Sequence, residues 1–168
     1  MSGGVYTVKS DFPSLEKKLR DLGQLPTTVI SRAAGKGATV VRRAARSAVP
    51  VRTGTMKRYI TRASERSKKK GKRVYRIGMK GGDEANEALQ RRIKEPGKYG
   101  GKNKYAYYPS STEYGWLGPN GKHEGSHWMQ RASHDAAHEA EEAMVKEFAV
   151  QVDKAWAKKE AEREQNGF

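Results

Sequence analysis

The 168-residue sequence has no cysteine. That excludes a disulfide scaffold, a thiolate zinc site and a thiol nucleophile. It also has no apolar run approaching the ~18 residues that a membrane-spanning helix needs. Met1 to Phe12 shows no basic stretch followed by an apolar one, so no signal peptide is expected and the product is read as assembled in the cytoplasm. Large aliphatic residues are scarce. Leu, Ile, Val and Phe together number 24, which is below the ~20% level at which high charge begins to signal disorder. Fourteen aromatic residues and 19 alanines oppose full disorder. The reading that reconciles these is a folded subunit that completes its burial against copies of itself or against partners. The length suits a single domain over residues 1–168.

Charge is abundant and uneven. The formal net charge is +15, with 34 Lys plus Arg against 19 Asp plus Glu. Residues 1–56 carry +7, residues 57–80 carry +10, residues 81–125 carry +1 and residues 126–168 carry −3. A basic middle and an acidic end make a polar subunit suited to head-to-tail or opposite-charge contacts.

The pattern predicts an α+β fold: a small antiparallel sheet packed by two long helices, with a basic hairpin loop and a long C-terminal helix. Asp11 and Pro13 open a short helix to about Leu22, with Leu15, Leu19 and Leu22 on one face. Thr27 starts a longer helix whose stripe is Ile30, Ala33, Ala34, Val41, Ala44, Ala45 and Ala48. Gly35 and Gly37 weaken it by about 1 kcal/mol each relative to Ala, and so mark a close helix contact or a kink. Pro50 ends it. Thr53-Gly54-Thr55 is a turn in which Gly54 is expected at positive φ. Met56 to Ala63 and Val74 to Met79 read as strands around a basic loop, Ser64 to Lys72. Residues 81–104 look inserted, with a short helix from Asp83 to Ile93. Tyr105 to Thr112 reads as a third strand and Leu117 to Gly125 as loop. The final helix runs from Ser126 or Ser133 to about Arg163, with a stripe of Ala132, Ala136, Ala140, Ala143, Met144, Phe148, Val152, Ala155 and Trp156. Residues 157–168 form a charged tail.

Catalytic motifs are thin. His123-Glu124-Gly125-Ser126-His127 fits H-E-x-x-H, but Pro119, Gly121 and Gly125 oppose the helix that zinc chemistry needs. His134 and His138 stand at i and i+4 on a predicted helix, with Glu141 and Glu142 one turn on, where a zinc or nickel ion would find two ligands. Two ligands do not make a site, and no metal or cofactor is assigned. No G-x-S-x-G occurs, and Gly97 to Lys104 lacks the ending of a phosphate loop. No catalytic residue is assigned and no enzyme is expected. The basic run is the stronger feature. Arg58, Arg62, Arg66, Lys68, Lys69, Lys70, Lys72 and Arg73 are candidates for contact with DNA phosphates or an acidic partner. Tyr59 and Tyr75 beside them offer rings for base stacking.

Two blocks carry a resemblance. Ala44 to Ile60 contains Pro50, Arg52, Thr53, Gly54 and Met56 in the pattern Pro-x-Arg-Thr-Gly-x-Met. Tyr105 to Ala132 contains Glu113-Tyr114-Gly115, a Gly-rich loop, then Trp128, Met129 and Ala132. In order and spacing the chain resembles the neck or tail-completion family of long-tailed bacteriophages, the lambdoid tail-component proteins, over about residues 11–155. It departs from that pattern at Trp116, where a small residue is usual, at Arg131, where Pro is frequent, and in the length of 81–104. The resemblance implies a non-enzymatic virion subunit that forms a homo-oligomeric ring between the head connector and the tail tube, without cofactor. The alternatives are a tail-terminator subunit and a small basic nucleic-acid-binding protein. Both blocks should converge at the helix–sheet junction, and an ion pair between Glu113 and Arg52 is expected there.

Overall fold

The computed structural model describes residues 27–65, 72–93 and 105–165. The expected helix from Asp11 to Leu22 lies outside them, as do Arg66, Lys68, Lys69 and Lys70, residues 94–104 and the last three residues of the charged tail. The class is α+β. Helix α1 runs Thr27–Ala48, α2 Thr55–Tyr59, α3 Asp83–Leu89, α4 Tyr108–Tyr114, α5 Trp128–Asp135 and α6 Ala137–Gln165. The strands are β1 Ile60–Glu65, β2 Val74–Met79, β3 Gln90–Arg92, β4 Tyr105–Tyr107, β5 Gly115–Gly118 and β6 Gly121–Glu124. Among the described residues they pair as three two-stranded antiparallel ribbons, β1 with β2, β3 with β4 and β5 with β6. In the first ribbon Ile60 lies opposite Met79 and Glu65 opposite Val74, so the two strands pair antiparallel as expected; residues 66–71 of the basic loop lie outside the described residues.

Helix α1 is the central element because small residues open it on two sides. Gly35 and Gly37 are about 200° apart around the axis, at 100° per residue. At Gly35 the phenol of Tyr75 arrives from β2, 3.3 Å from where a Cβ would sit. At Gly37 the carbonyl of Ala140 and Cγ of Met144 arrive from α6, 2.9 and 2.5 Å from such a Cβ. The glycines therefore serve close contacts and not a kink. The buried set of α1 is accordingly Val29, Ala33, Gly35, Gly37, Ala38, Val40 and Ala45; of the expected stripe only Ala33 and Ala45 are buried, Ile30, Ala34, Val41 and Ala44 are half-buried and Ala48 is exposed. Helices α1 and α6 run antiparallel: Arg43 pairs with Glu139 near one end, and Arg32 Nη1 donates to Gln151 Oε1 at 2.7 Å near the other. The buried Gln151 also donates to Glu147 at 2.8 Å, so its amide does not go unpaired.

Gly37→Ala tests this packing. Alanine gains about 1 kcal/mol of helix propensity. Its methyl meets a backbone carbonyl that cannot rotate away, so a net loss of roughly 1–2 kcal/mol is expected. Urea denaturation measures it. Adding Met144→Ala should recover part of the loss, and full recovery would show that the backbone contact is unimportant.

Two cores result. The larger joins Ala45, Val49, Met56, Tyr59, Ile60, Ala85, Leu89 and Trp128, flanked by Ile77, Met79, Tyr107, Tyr108 and Met129. The smaller lies between α1 and the α5–α6 region, at Val40, Ala136 and Ala140.

Five local expectations are corrected. The helix from Asp83 ends at Leu89, because Gln90–Arg92 pairs with Tyr105–Tyr107 as a ribbon. The strand at Met56 begins only at Ile60, because Gly54 at φ 75° starts α2 first. The strand from Tyr105 ends at Tyr107, because Pro109 in the first turn favours a helix and Thr112 Oγ1 donates back to the carbonyls of Tyr108 and Pro109. The loop from Leu117 to Gly125 is mostly the hairpin β5–β6, turning at Pro119-Asn120 with Gly121 at φ 102°. The last helix is interrupted at Ala136, which separates α5 from α6.

Candidate assembly surface

The two sequence blocks meet at one junction. After α1, Val49 is buried and its N–H donates to the Ala45 carbonyl at 3.1 Å. The chain then turns through Pro50 to Gly54 and inserts Met56 into the core. Thr112 Oγ1 from α4 approaches Met56 Sδ at 3.8 Å, which is where the first block touches the second.

Glu113 organises the second block. It is only 8% exposed. Its carboxylate accepts from the Met129 N–H at 2.9 Å and the Gln130 N–H at 3.2 Å. These are free donors of the first turn of α5, and a carboxylate there also meets the positive end of the helix dipole. The backbone is stitched alongside: the Ser126 N–H donates to the Thr112 carbonyl at 2.8 Å and the His127 N–H to the Glu113 carbonyl at 3.0 Å. His127 takes φ 48° to enter the helix, and Trp128 follows fully buried. The expected pair between Glu113 and Arg52 does not form. Both oxygens of Glu113 are committed to α5, and Arg52 is exposed on the turn. Tyr114 is exposed, Gly115 lies at φ 88° at the start of β5, and Ala132 is buried in α5 with Met129 half-buried beside it.

Outside the junction lies an open cleft of about 1150 Å³. Its walls are the turn from Pro50 to Met56, the α3–β3 segment, α4 and β5. Large apolar side chains around it face solvent: Val51 is 65% exposed, Leu117 57% and Trp116 50%. Trp116 is propped by stacking on His123, with ring centroids 4.5 Å apart. Arg52 and Arg91 stand among the lining residues. No one stretch of sequence marks this surface, because its residues come from four separate segments.

The basic hairpin is only partly available. Arg62 Nη1 donates to the Gly35 carbonyl and, at 2.7 Å, to Thr39 Oγ1, while the guanidinium lies 5.1 Å from the centre of the Tyr75 ring. Arg62 thus ties β1 to α1 while the residue itself stays exposed. The tyrosines are engaged too. The Tyr75 hydroxyl donates to the Ser31 carbonyl at 3.0 Å. Tyr59 is buried and its hydroxyl donates to Glu84 at 3.1 Å. That bond, with loss of solvent, raises the phenol pKa. The buried Tyr59 ring is not free to stack on a base, and the half-buried Tyr75 ring carries the Arg62 guanidinium. Arg58, Lys72 and Arg73 are exposed.

The histidines do not assemble. His123 lies on β6 and His127 at the start of α5, so H-E-x-x-H spans a strand and a bend. His134 and His138 fall on either side of the break at Ala136, beside Asp135 and Glu142 respectively, each 3.7 Å away. Among the described residues no group of three or more His, Asp or Glu is placed to hold a metal ion. No helix there is long and apolar enough to cross a membrane.

No curated protein and no solved structure matches the chain. A family model described as "Bacteriophage HK97-gp10, putative tail-component" matches residues 14–115, from before α1 to the Glu113-Tyr114-Gly115 block. That span is more than half of the chain, and the protein belongs to the HK97-gp10-like family of bacteriophage tail components.

Proposed function

We propose that the chain is a virion structural subunit of the phage neck, forming a homo-oligomeric ring that joins the head connector to the tail tube. It acts by assembly alone, without catalysis or cofactor. The observation that carries this reading is the exposed apolar surface of Val51, Trp116 and Leu117 beside the junction, in a member of a tail-component family. A chain this short of large aliphatics gains little by leaving such side chains in water, and contiguous exposed apolar surface marks an interaction site. The net charge of +10 over residues 57–80 suits a hairpin that faces DNA crossing the ring or an acidic partner ring. Neck and tail-terminator positions differ in which rings the subunit touches.

Electron microscopy of particles made without the protein tests the reading. Full heads and finished tails should accumulate separately. Normally joined particles would overturn it.

A further inference from the structure

Helix α6 carries a second apolar stripe besides the one packed on α1. Val145, Phe148, Val152 and Trp156 follow at i, i+3, i+7 and i+11, on one side of the helix about 80–160° round from Ala140, which faces α1. Val145 is 63% exposed and Phe148 38%, with Val152 and Trp156 half-buried. Exposed Glu142 and Asp153 border the stripe on its outer edge, with Lys146 between them along the axis, so this edge is net acidic.

The stripe and the cleft lie at opposite ends of the subunit. Contacts of Gly37 with Met144 and of Arg32 with Gln151 set Phe148 and Val152 beside the N-terminal half of α1. The cleft begins at Pro50, just past the C-terminal end of α1. The separation along the axis is about 25 Å at 1.5 Å per residue. One end thus offers an apolar cleft rimmed by Arg52 and Arg91, and the other an apolar helix face bordered by carboxylates. Two different, complementary surfaces on one chain make a heterologous contact, which closes into a ring when its rotation allows.

We infer that the Val145–Trp156 stripe of α6 from one copy seats in the Val51–Trp116–Leu117 cleft of the next, in the manner of a helix in a groove. This rests on the ring reading above and names its interface. The acidic border of the helix meets Arg52 and Arg91 of the neighbour, which fixes direction and keeps like ends apart.

The absence of cysteine makes the test clean. Leu117→Cys and Val145→Cys are introduced singly and together, with Trp116→Cys and Phe148→Cys as a second pair to cover a shift in register. After mild oxidation, a denaturing gel should show a ladder of multimers for a double variant and dimers for mixed single variants. Each single variant alone should remain a monomer on the gel. Dimers from a single variant would mean that like surfaces meet, and would overturn the inference. So would a disulfide closed within one chain. Light scattering on the unmodified full chain separates the two claims. An oligomer without a ladder removes this interface and leaves the ring. A monomer at high concentration with no ladder removes both.

Val145→Asp supplies an independent readout. Its side chain is exposed in the subunit, so the melting temperature of the isolated chain should be unchanged, while self-association weakens by about tenfold or more. A lowered melting temperature with unchanged association would show that the chain's own residues cover the stripe, and would overturn the proposal.

Discussion

Gly125→Ala is expected to destabilise the protein by about 3 kcal/mol or more. Gly125 passes directly over α4. A Cβ there would meet the Glu113 carbonyl oxygen, with Tyr114 C and Glu113 C at 2.5 and 2.6 Å, all of them backbone and all inside the 3.0 Å that real Cβ atoms respect. No side chain can rotate to make room, so either the Ser126–Thr112 and His127–Glu113 bonds open or α5 is pushed off the core. For a chain of this size the melting temperature should fall by roughly 6–12 °C. Gly78→Ala is the control. It has nothing within 4 Å, and its effect should stay within about 0.5 kcal/mol. Calorimetry on the two variants gives the comparison. If Gly125→Ala melts with the control, the α4–α5 junction is not closely packed.

Glu113→Ala should cost a similar amount, roughly 3 kcal/mol. Hydrogen bonds to a charged acceptor contribute about 1.5–3 kcal/mol, and an anion at a helix N-terminus adds about 0.3–1 kcal/mol. Removing it leaves the Met129 and Gln130 N–H groups without their acceptor in a partly buried place. Glu113→Gln keeps one oxygen and turns an NH2 toward a donor, so about half of the loss should remain. Because α5 anchors Trp128, the effect should appear in tryptophan fluorescence as well as in denaturant midpoints. The same geometry predicts that Arg52→Ala is nearly silent for stability, and that Arg52→Glu does not rescue Glu113→Arg. A rescue by that double charge reversal would restore the ion pair expected from sequence and remove the helix cap.

How far the sequence could be read depended on how local each signal was. Helix α1 was legible from Thr27 to the stop at Pro50 because its apolar period and its breaker lie within one window. The hairpin β1–β2 was legible because alternation over Val74–Met79 and a polar loop bound it on both sides. Tyr108–Tyr114 was misread because tyrosines favour strands, whereas Pro109 sits where a helix accepts it. The hairpin β5–β6 was missed because glycine and proline outnumber apolar residues there. Its pairing is made possible by Gly115 and Gly121 at positive φ, not by alternation.

The assembly surface was the least legible part. Val51, Ile93 and the Trp116-Leu117 pair come from distant parts of the chain, and only the fold brings them to one cleft. Arg62 shows the converse. It belonged to a basic run by sequence, yet the fold engages its guanidinium with Gly35, Thr39 and Tyr75 while the residue remains exposed.

By itself the sequence determined the α+β class, the absence of thiol chemistry, the uneven charge and the kinship with phage tail components. These follow from composition, period and short motifs, which act over a few turns of chain. Tertiary structure decided what Glu113 holds, which cations remain available and where apolar surface is left in water. Those outcomes depend on which distant segments compete for the same space and the same hydrogen-bond donors, and no local pattern records that competition.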